Sequence, residues 1–377
     1  MTRCRRLVMA VVAMVAVAGC AGGPSSASVA ADPAASSAAV VWSVEDLDRP
    51  GELRDMARGD GRLVAVGFRH WEEPAISDVL VSDDRGRTWR AAGEDGLDTG
   101  SMVAVTHGPA GFVAVGRAGG GGPGRSAAIW ASRDGLDWLP VDPPTTVAGA
   151  DLQAVVASSD RYVAGGMDGP MPVVWVSSDG QEWQEAPPFY GPAEYQTDAD
   201  ITGDAVSALA TRDGRFVAAL SVGAHRGEIW SSDDGQSWVK LGRIEPNAAV
   251  AALTWDENGL LAVGSDMVTG QPHGRIWSSP DGVTWDEVAS LGAGDGLDVS
   301  AGSDVFVAAS ISQPAEPGIW RSSDGVSWVQ AALPDLGTPS PILQALLAVD
   351  DAIVGVGSRG ATADDVTMVV WHGTPTP

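Results

Sequence analysis

From residue 40 onward, short apolar runs alternate with clusters of turn formers, and the same runs return in one rhythm. One run is LVAVG (Leu63 to Gly67), then FVAVG (Phe112 to Gly116), YVAGG (Tyr162 to Gly166) and FVAAL (Phe216 to Leu220). It continues as LLAVG (Leu260 to Gly264), FVAAS (Phe306 to Ser310) and IVGVG (Ile353 to Gly357). Each copy follows another apolar stretch, such as Met102 to Val105, Val250 to Leu253 or Leu343 to Leu347. Val-rich runs of this length, bounded by Gly, Asp and Ser, predict strands, about four to each repeating unit.

A second motif keeps the same beat. W-x-S-x-D-G-x-x-W occurs from Trp130 to Trp138, Trp175 to Trp183, Trp277 to Trp285 and Trp320 to Trp328. Two more copies, Ser82 to Trp89 and Ser231 to Trp238, match a spacing one residue longer, S-x-D-x-G-x-x-W. The turn glycines Gly86, Gly135, Gly180, Gly235, Gly282 and Gly325 are separated by 49, 45, 55, 47 and 43 residues, the size of a propeller blade. Asp-Gly between two strands predicts a tight hairpin, because Gly takes positive φ cheaply and Asp and Ser accept hydrogen bonds from turn amides. Seven apolar runs against six turns leave the last unit one strand short. After Val366 to Trp371 the chain ends, whereas Val40 to Val44, with Trp42, has no unit of its own. The expectation is an all-β, seven-bladed β-propeller of four-stranded blades over 40–374, closed by the N-terminal strand completing the last blade, which leaves no edge exposed.

Composition sharpens this picture. The chain holds 15 Trp against 3 Tyr and 5 Phe, and 13 of those Trp fall in the repeats, leaving Trp71 and Trp255. At 44 % hydrophobic and 19 % charged it has the material for a large core. A net charge of −26 with a single lysine, Lys240, excludes a nucleic-acid partner, which requires a basic footprint.

The first residues read as an address. Arg3, Arg5 and Arg6 precede an apolar run from Leu7 to Ala18, too short to span a bilayer, so 1–19 is expected to be a signal peptide. Val17-Ala18-Gly19-Cys20 resembles the lipobox of bacterial lipoproteins, which implies cleavage before Cys20 and lipidation of that residue. Residues 20–39 then form a lipidated cysteine and an Ala/Ser/Gly/Pro-rich tether. The expected location is the outer leaflet of the cell membrane, facing the extracytoplasmic space. Loss of Cys4 with the signal peptide leaves no cysteine for an intramolecular disulfide or a Cys-based metal site.

The Asp-Gly turns resemble the Asp-box, or BNR, repeat of sialidases, sortilin-type receptors and photosystem assembly factors, all β-propellers. That resemblance covers residues 40–371. It implies that function sits on the face opposite the turns, on loops joining the second and third strands of each blade and on loops between blades. A sialidase-like glycoside hydrolase of the exo-alpha-sialidase type would need an arginine triad for the sugar carboxylate, an Arg-Ile-Pro-type motif in the first blade, and a Tyr nucleophile paired with a Glu. The first blade has no such motif. Tyr162 lies in a strand, and Tyr190 and Tyr195 share one loop. The leading expectation is therefore a binding or scaffold module, with the glycoside hydrolase and an assembly factor for a membrane complex as alternatives.

Several residues could form its ligand site. Arg69, Arg117 and Arg359 each follow a second strand, in blades 1, 2 and 7, which ring closure makes consecutive. Converging guanidiniums suit a carboxylate or phosphate, whereas pairing with the nearest acids, Glu72, Glu73, Asp364 or Asp365, would neutralise them. Trp71, beside His70, suits stacking on a sugar or anchoring a protein. The partner classes are thus the membrane through Cys20, and an unknown protein, glycan or small anion. The long connection Ala186 to Asp204 carries Tyr190 and Tyr195, and Asp198, Asp200 and Asp204 match part of a calcium loop without its distal Glu. No cofactor is expected, calcium being the one candidate. The five His show no zinc spacing.

Overall fold

The structure is a computed structural model that describes residues 40–69, 75–93, 96–97, 100–119, 126–143, 150–190, 205–222, 226–244, 248–256, 258–266, 270–302, 306–312, 316–350, 352–362 and 365–375. Among these residues all regular structure is β-strand, and no helix is long and apolar enough to cross a membrane. His70, Trp71, Tyr195, Asp198, Asp200, Asp204 and Cys20 lie outside the described residues, as do the whole of 1–19 and 20–39.

The strands form six sheets. Unit 1 comprises Glu52–Gly59, Arg62–Arg69, Ile76–Ser82 and Arg90–Ala91. Unit 2 comprises Ser101–Gly108, Gly111–Ala118, Ser126–Ser132 and Leu139–Val141, and unit 3 Asp151–Ala157, Tyr162–Asp168, Met171–Ser177 and Gln184–Glu185. Unit 4 comprises Ala205–Arg212, Arg215–Val222, Arg226–Ser232 and Val239–Arg243. Each is an antiparallel meander. Where two further four-stranded sheets were expected, one seven-stranded sheet runs from Ala248–Trp255 to Val329–Gln330. The reason is the 16-residue strand Asp286–Ala301. Its first half pairs with His273–Ser279 as the outer strand of unit 5, and its second half pairs with Phe306–Ser312 as the first strand of unit 6. The chain bends between the two roles at Gly292 and Gly294, both at positive φ, without leaving the sheet. The sixth sheet, unit 7, holds Ile342–Val349, Ala352–Arg359 and Thr367–Pro375, and its outer strand is the N-terminal Val40–Pro50. Trp42 lies opposite Gly373 there and is buried.

Each first strand carries a bulge at the same place, for example between Leu53 and Asp55, Met102 and Ala104, and Gly296 and Asp298. Bulges raise local twist. They also explain the glycine that ends most second-strand runs: a Cβ on Gly67, Gly116 or Gly357 would sit 1.9, 2.0 or 1.9 Å from the carbonyl oxygen of Glu52, Ser101 or Ile342. Second strands are buried on both faces, which is why they read as continuous apolar runs rather than alternating ones. Seven apolar clusters fill the spaces between consecutive units. One joins Val64 and Val66 to Trp130 and Trp138, and another joins Leu343 and Trp371 to Ile319. The cluster of Leu53, Leu63 and Leu80 with Val354 and Met368 joins unit 7 to unit 1.

The six turns share one construction. In the third, Ser177 Oγ accepts from the Gly180 amide at 2.8 Å, Asp179 Oδ1 accepts from the Gln181 and Glu182 amides at 2.9 Å, and Trp183 Nε1 donates to the Gly180 carbonyl at 3.2 Å. These amides hold the Asp179 carboxyl below the ordinary carboxylate range. The fourth turn differs from its expected match. Ser232 and Asp234, not Ser231 and Asp233, make the turn bonds, at 2.9 Å between them and 2.8 and 2.7 Å from Asp234 to the Gln236 and Ser237 amides. Only the Ser82 turn keeps the longer spacing; its extra residue, Arg85, takes φ 66°.

Candidate functional site

The face opposite the turns is built where second strands end and third strands begin. There the sequence placed three arginines, and each meets a carboxylate. Arg69 Nε lies 3.4 Å from Asp78 Oδ2. Asp78 itself is buried and receives both Nε and Nη2 of Arg49, at 2.6 and 2.7 Å. Arg359 Nε lies 3.1 Å from Asp46 Oδ1, and its Nη1 donates to the Leu336 carbonyl at 2.6 Å. Asp46 and Arg49 both belong to the N-terminal strand, so Arg359 and Asp78 hold that strand, and Arg69 shares Asp78 with Arg49. None of these partners is the acid nearest in sequence.

Arg117 stands apart. Its contact to Asp151 is the longest of the three at 3.6 Å, and its side chain is 47 % exposed against 22 % for Arg69 and 21 % for Arg359. Beside it, around Ala118, opens a cavity of about 350 Å³ lined by Ser126, Ile129, Trp130, Pro140 and Val141. Arg117 precedes Ala118 on the strand and is not itself part of that lining.

Tyr190, which the sequence offered as a ligand contact in the long connection, points inward. Its ring packs edge-on against Trp230 at 5.4 Å and its hydroxyl donates to Glu228 Oε2 at 2.8 Å. Trp230 Nε1 donates to the same oxygen at 3.2 Å, and Lys240 pairs with Oε1. Tyr190 and Glu228 are 7 % and 9 % exposed. The only lysine of the chain thus neutralises a buried carboxylate, and the Tyr–Glu contact ties the start of the long connection to unit 4. In unit 5 the comparable cluster is Arg275 with Asp266 at 2.6 Å and Ser290 at 2.5 Å.

Two carboxylates were missed by sequence reasoning. Asp55 and Asp298 follow the first-strand bulges of units 1 and 6, where the other five units place Ala104, Ala154, Ala208, Ala252 and Ala345. That alanine-to-aspartate departure within an aligned repeat was the available signal. Each reaches the next unit: Asp55 accepts from the Val105 amide at 2.8 Å and Asp298 from the Leu346 amide at 2.7 Å. Burial pushes Asp55 up to about 7 and Asp298 up to about 6, and the charge of Asp298 adds to the rise at Asp55. Among the described residues no group of three or more His, Cys, Asp or Glu could hold a metal ion.

No protein-family model matches the chain, and no curated protein matches it in sequence. Solved structures do. Phage phi92 endosialidase is 9 % identical over 90 % of this chain and 70 % of its own, with a TM-score of 0.52. The chain has a sialidase-like β-propeller fold. Trypanosoma rangeli sialidase is 13 % identical over 86 % of this chain, with a TM-score of 0.49, and a Dyadobacter fermentans protein of unknown function is 13 % identical over 88 %, also with 0.49. The aligned region spans 55 % of the Trypanosoma sialidase chain and 99 % of the Dyadobacter one.

Proposed function

We propose that this chain is a lipid-anchored, extracytoplasmic β-propeller of seven blades that binds a ligand through the face opposite its Asp-box turns and does not hydrolyse it. The seven-blade count is supported by the division of Asp286–Ala301 between units 5 and 6. Closure is supported by the pairing of Val40–Pro50 with Thr367–Pro375 and by the apolar cluster joining units 7 and 1. The Asp-box reading draws on the shared Ser, Asp and Trp bonds of the turns, and the anchor on the lipobox-like run ending at Cys20.

One observation carries binding over catalysis: the groups a sialidase would need are engaged by the protein itself. Arg69 shares Asp78 with Arg49 of the N-terminal strand, Arg359 pairs with Asp46 of that strand, and the Tyr190–Glu228 contact is buried under a lysine. Arg117 and the neighbouring cavity remain as the ligand contact. In the same reading His70, Trp71 and Tyr195 are the loop groups that would complete it, while calcium at Asp198, Asp200 and Asp204 is a subsidiary proposal. A fluorogenic sialoside incubated with the full-length protein tests the choice. No release above buffer is expected; release that disappears in Glu228→Gln would establish the sialidase alternative instead.

A further inference from the structure

The second Trp outside the repeat, Trp255, marks a different place, on the turn face between units 4 and 5. Here a cavity of about 380 Å³ is lined by Arg212, Asp213, Arg215, Trp255, Asn258 and Pro280. Its construction is unusual in two respects. The hairpin Arg212-Asp213-Gly214-Arg215 is a two-residue turn, with Asp213 at φ 53° and Gly214 at φ 80°, and it sets Arg212 and Arg215 directly opposite each other. Like charges at paired positions repel and destabilise a hairpin unless something anionic answers them.

The second respect appears on comparing units. An arginine stands just before the second-strand run in units 1, 3 and 4: Arg62, Arg161 and Arg215. Arg62 donates to the Asp134 carbonyl of the next unit's turn at 2.5 Å and pairs with Asp83 at 2.7 Å. Arg161 donates to the Asp234 carbonyl at 2.8 Å and pairs with Asp160 at 2.6 Å. Arg215 is exposed, and among the described residues its guanidinium makes no hydrogen bond or ion pair, although Asp233 occupies the position of Asp83. Its opposite number, Arg212, is held by the Asp256 carbonyl and lies 3.7 Å from Asp213.

We propose that this cavity binds a carboxylated sugar, such as a hexuronate unit of an acidic glycan. Arg215, with the charge of Arg212 across the hairpin adding to the local positive field, donates charge-assisted hydrogen bonds to the planar carboxylate. Trp255, partly exposed and backed by the apolar cluster between units 4 and 5, gives the flat wall on which a pyranose ring lies. Asn258 offers an amide to ring hydroxyls. A bare anion would leave the indole unused, and a neutral sugar would leave Arg215 unanswered. Asp213, almost fully exposed at the rim, selects against a dianionic phosphate. The volume is at the low end for ligand pockets, which start at about 300 Å³, and suits a single sugar unit rather than an extended chain.

The test is calorimetric titration of the full-length protein with methyl glucuronide, with methyl glucoside and acetate as controls. The glucuronide is expected to bind at least about tenfold more tightly than either control, the scale of one charge-assisted hydrogen bond. Arg215→Ala should abolish that preference without lowering the melting temperature, because among the described residues the exposed side chain makes no hydrogen bond or ion pair, and its loss relieves the repulsion with Arg212. Trp255→Phe should weaken glucuronide and glucoside alike. Equal affinity for glucuronide and glucoside, absence of glucuronide binding, or binding that survives Arg215→Ala but is lost in Arg117→Ala would each overturn the assignment.

Discussion

Asp55→Asn is the substitution whose consequence follows most closely from the geometry. The carboxyl lies partly buried after the first bulge of unit 1, accepting amides from Met56 at 2.7 Å and Val105 at 2.8 Å. Burial pushes it up to about 7, with the charge of Asp298 adding to the rise and that of Arg54 opposing it. The folded-state value therefore stands above the unfolded one. The folded protein holds the proton that the unfolded chain releases near pH 4, so stability falls as pH rises from about 4 through 7 and the loss is complete above that. A rise from 3.8 to about 7 spans about three pH units, and at about 1.4 kcal/mol each the full cost is about 4 kcal/mol. An asparagine keeps one acceptor oxygen for these two amides, sets its NH2 against the other at a cost that does not vary with pH, and carries no charge at any pH. His372, whose value is lowered by burial, acts in the opposite sense as pH falls below about 6.5, so the informative quantity is the difference between the two proteins. Urea unfolding from pH 4.5 to 8.5 should show the asparagine variant gaining on the parent by a few kcal/mol at the alkaline end. Parallel pH profiles would refute the assignment of Asp55 as a late-titrating acid.

Three other outcomes are expected. Deleting residues 40–46 removes buried Trp42 and the outer strand of unit 7, and should lower the melting temperature sharply; loss of a buried Trp alone costs about 3–5 kcal/mol, and an unchanged melting curve would contradict the pairing. Gly116→Ala drives a Cβ to within 2.0 Å of the Ser101 carbonyl oxygen and should destabilise by about 2 kcal/mol or more in chemical denaturation, whereas a neutral result would contradict the bulge geometry. Asp179→Ala removes the acceptor of two turn amides and should cost about 1 kcal/mol. Because Asp179 is held below the ordinary range, its contribution is present above pH 4 and fades as pH falls further, so parent and variant should converge in acid.

Much of the architecture was legible because repetition supplies its own alignment. The seven second-strand runs and six Asp-Gly turns each appear in sequence where strands and hairpins are found, and the lone Trp42 strand indicated its partner through the strand missing from unit 7. Turn register was less legible in SSDDG, where two serines and two aspartates offer two spacings and only packing selects Ser232 and Asp234. The junction of units 5 and 6 was invisible, since a strand that serves two units looks like two strands and a linker. Charged partners were the least legible. Arg117 finds Asp151 in the next unit, and Arg359 finds Asp46 on the N-terminal strand of its own sheet, contacts fixed by packing and strand pairing and not by proximity along the chain. Tyr190 turned inward because Trp230 and Glu228 offered both an aromatic edge and an acceptor.

Residues 40–50 complete the last sheet, and in the proposed seven-bladed ring that pairing is what closes it and draws Arg359 into structural work. Val41 and Thr374 face each other across this pair, and both are exposed. Val41→Cys with Thr374→Cys, in a background where Cys4 and Cys20 are serine, places two thiols on adjacent strands at directly opposed positions. Mild oxidation followed by peptide mass spectrometry should recover residue 41 joined to residue 374 within one chain. Thiols that stay free, or that join only between chains, would contradict the closure.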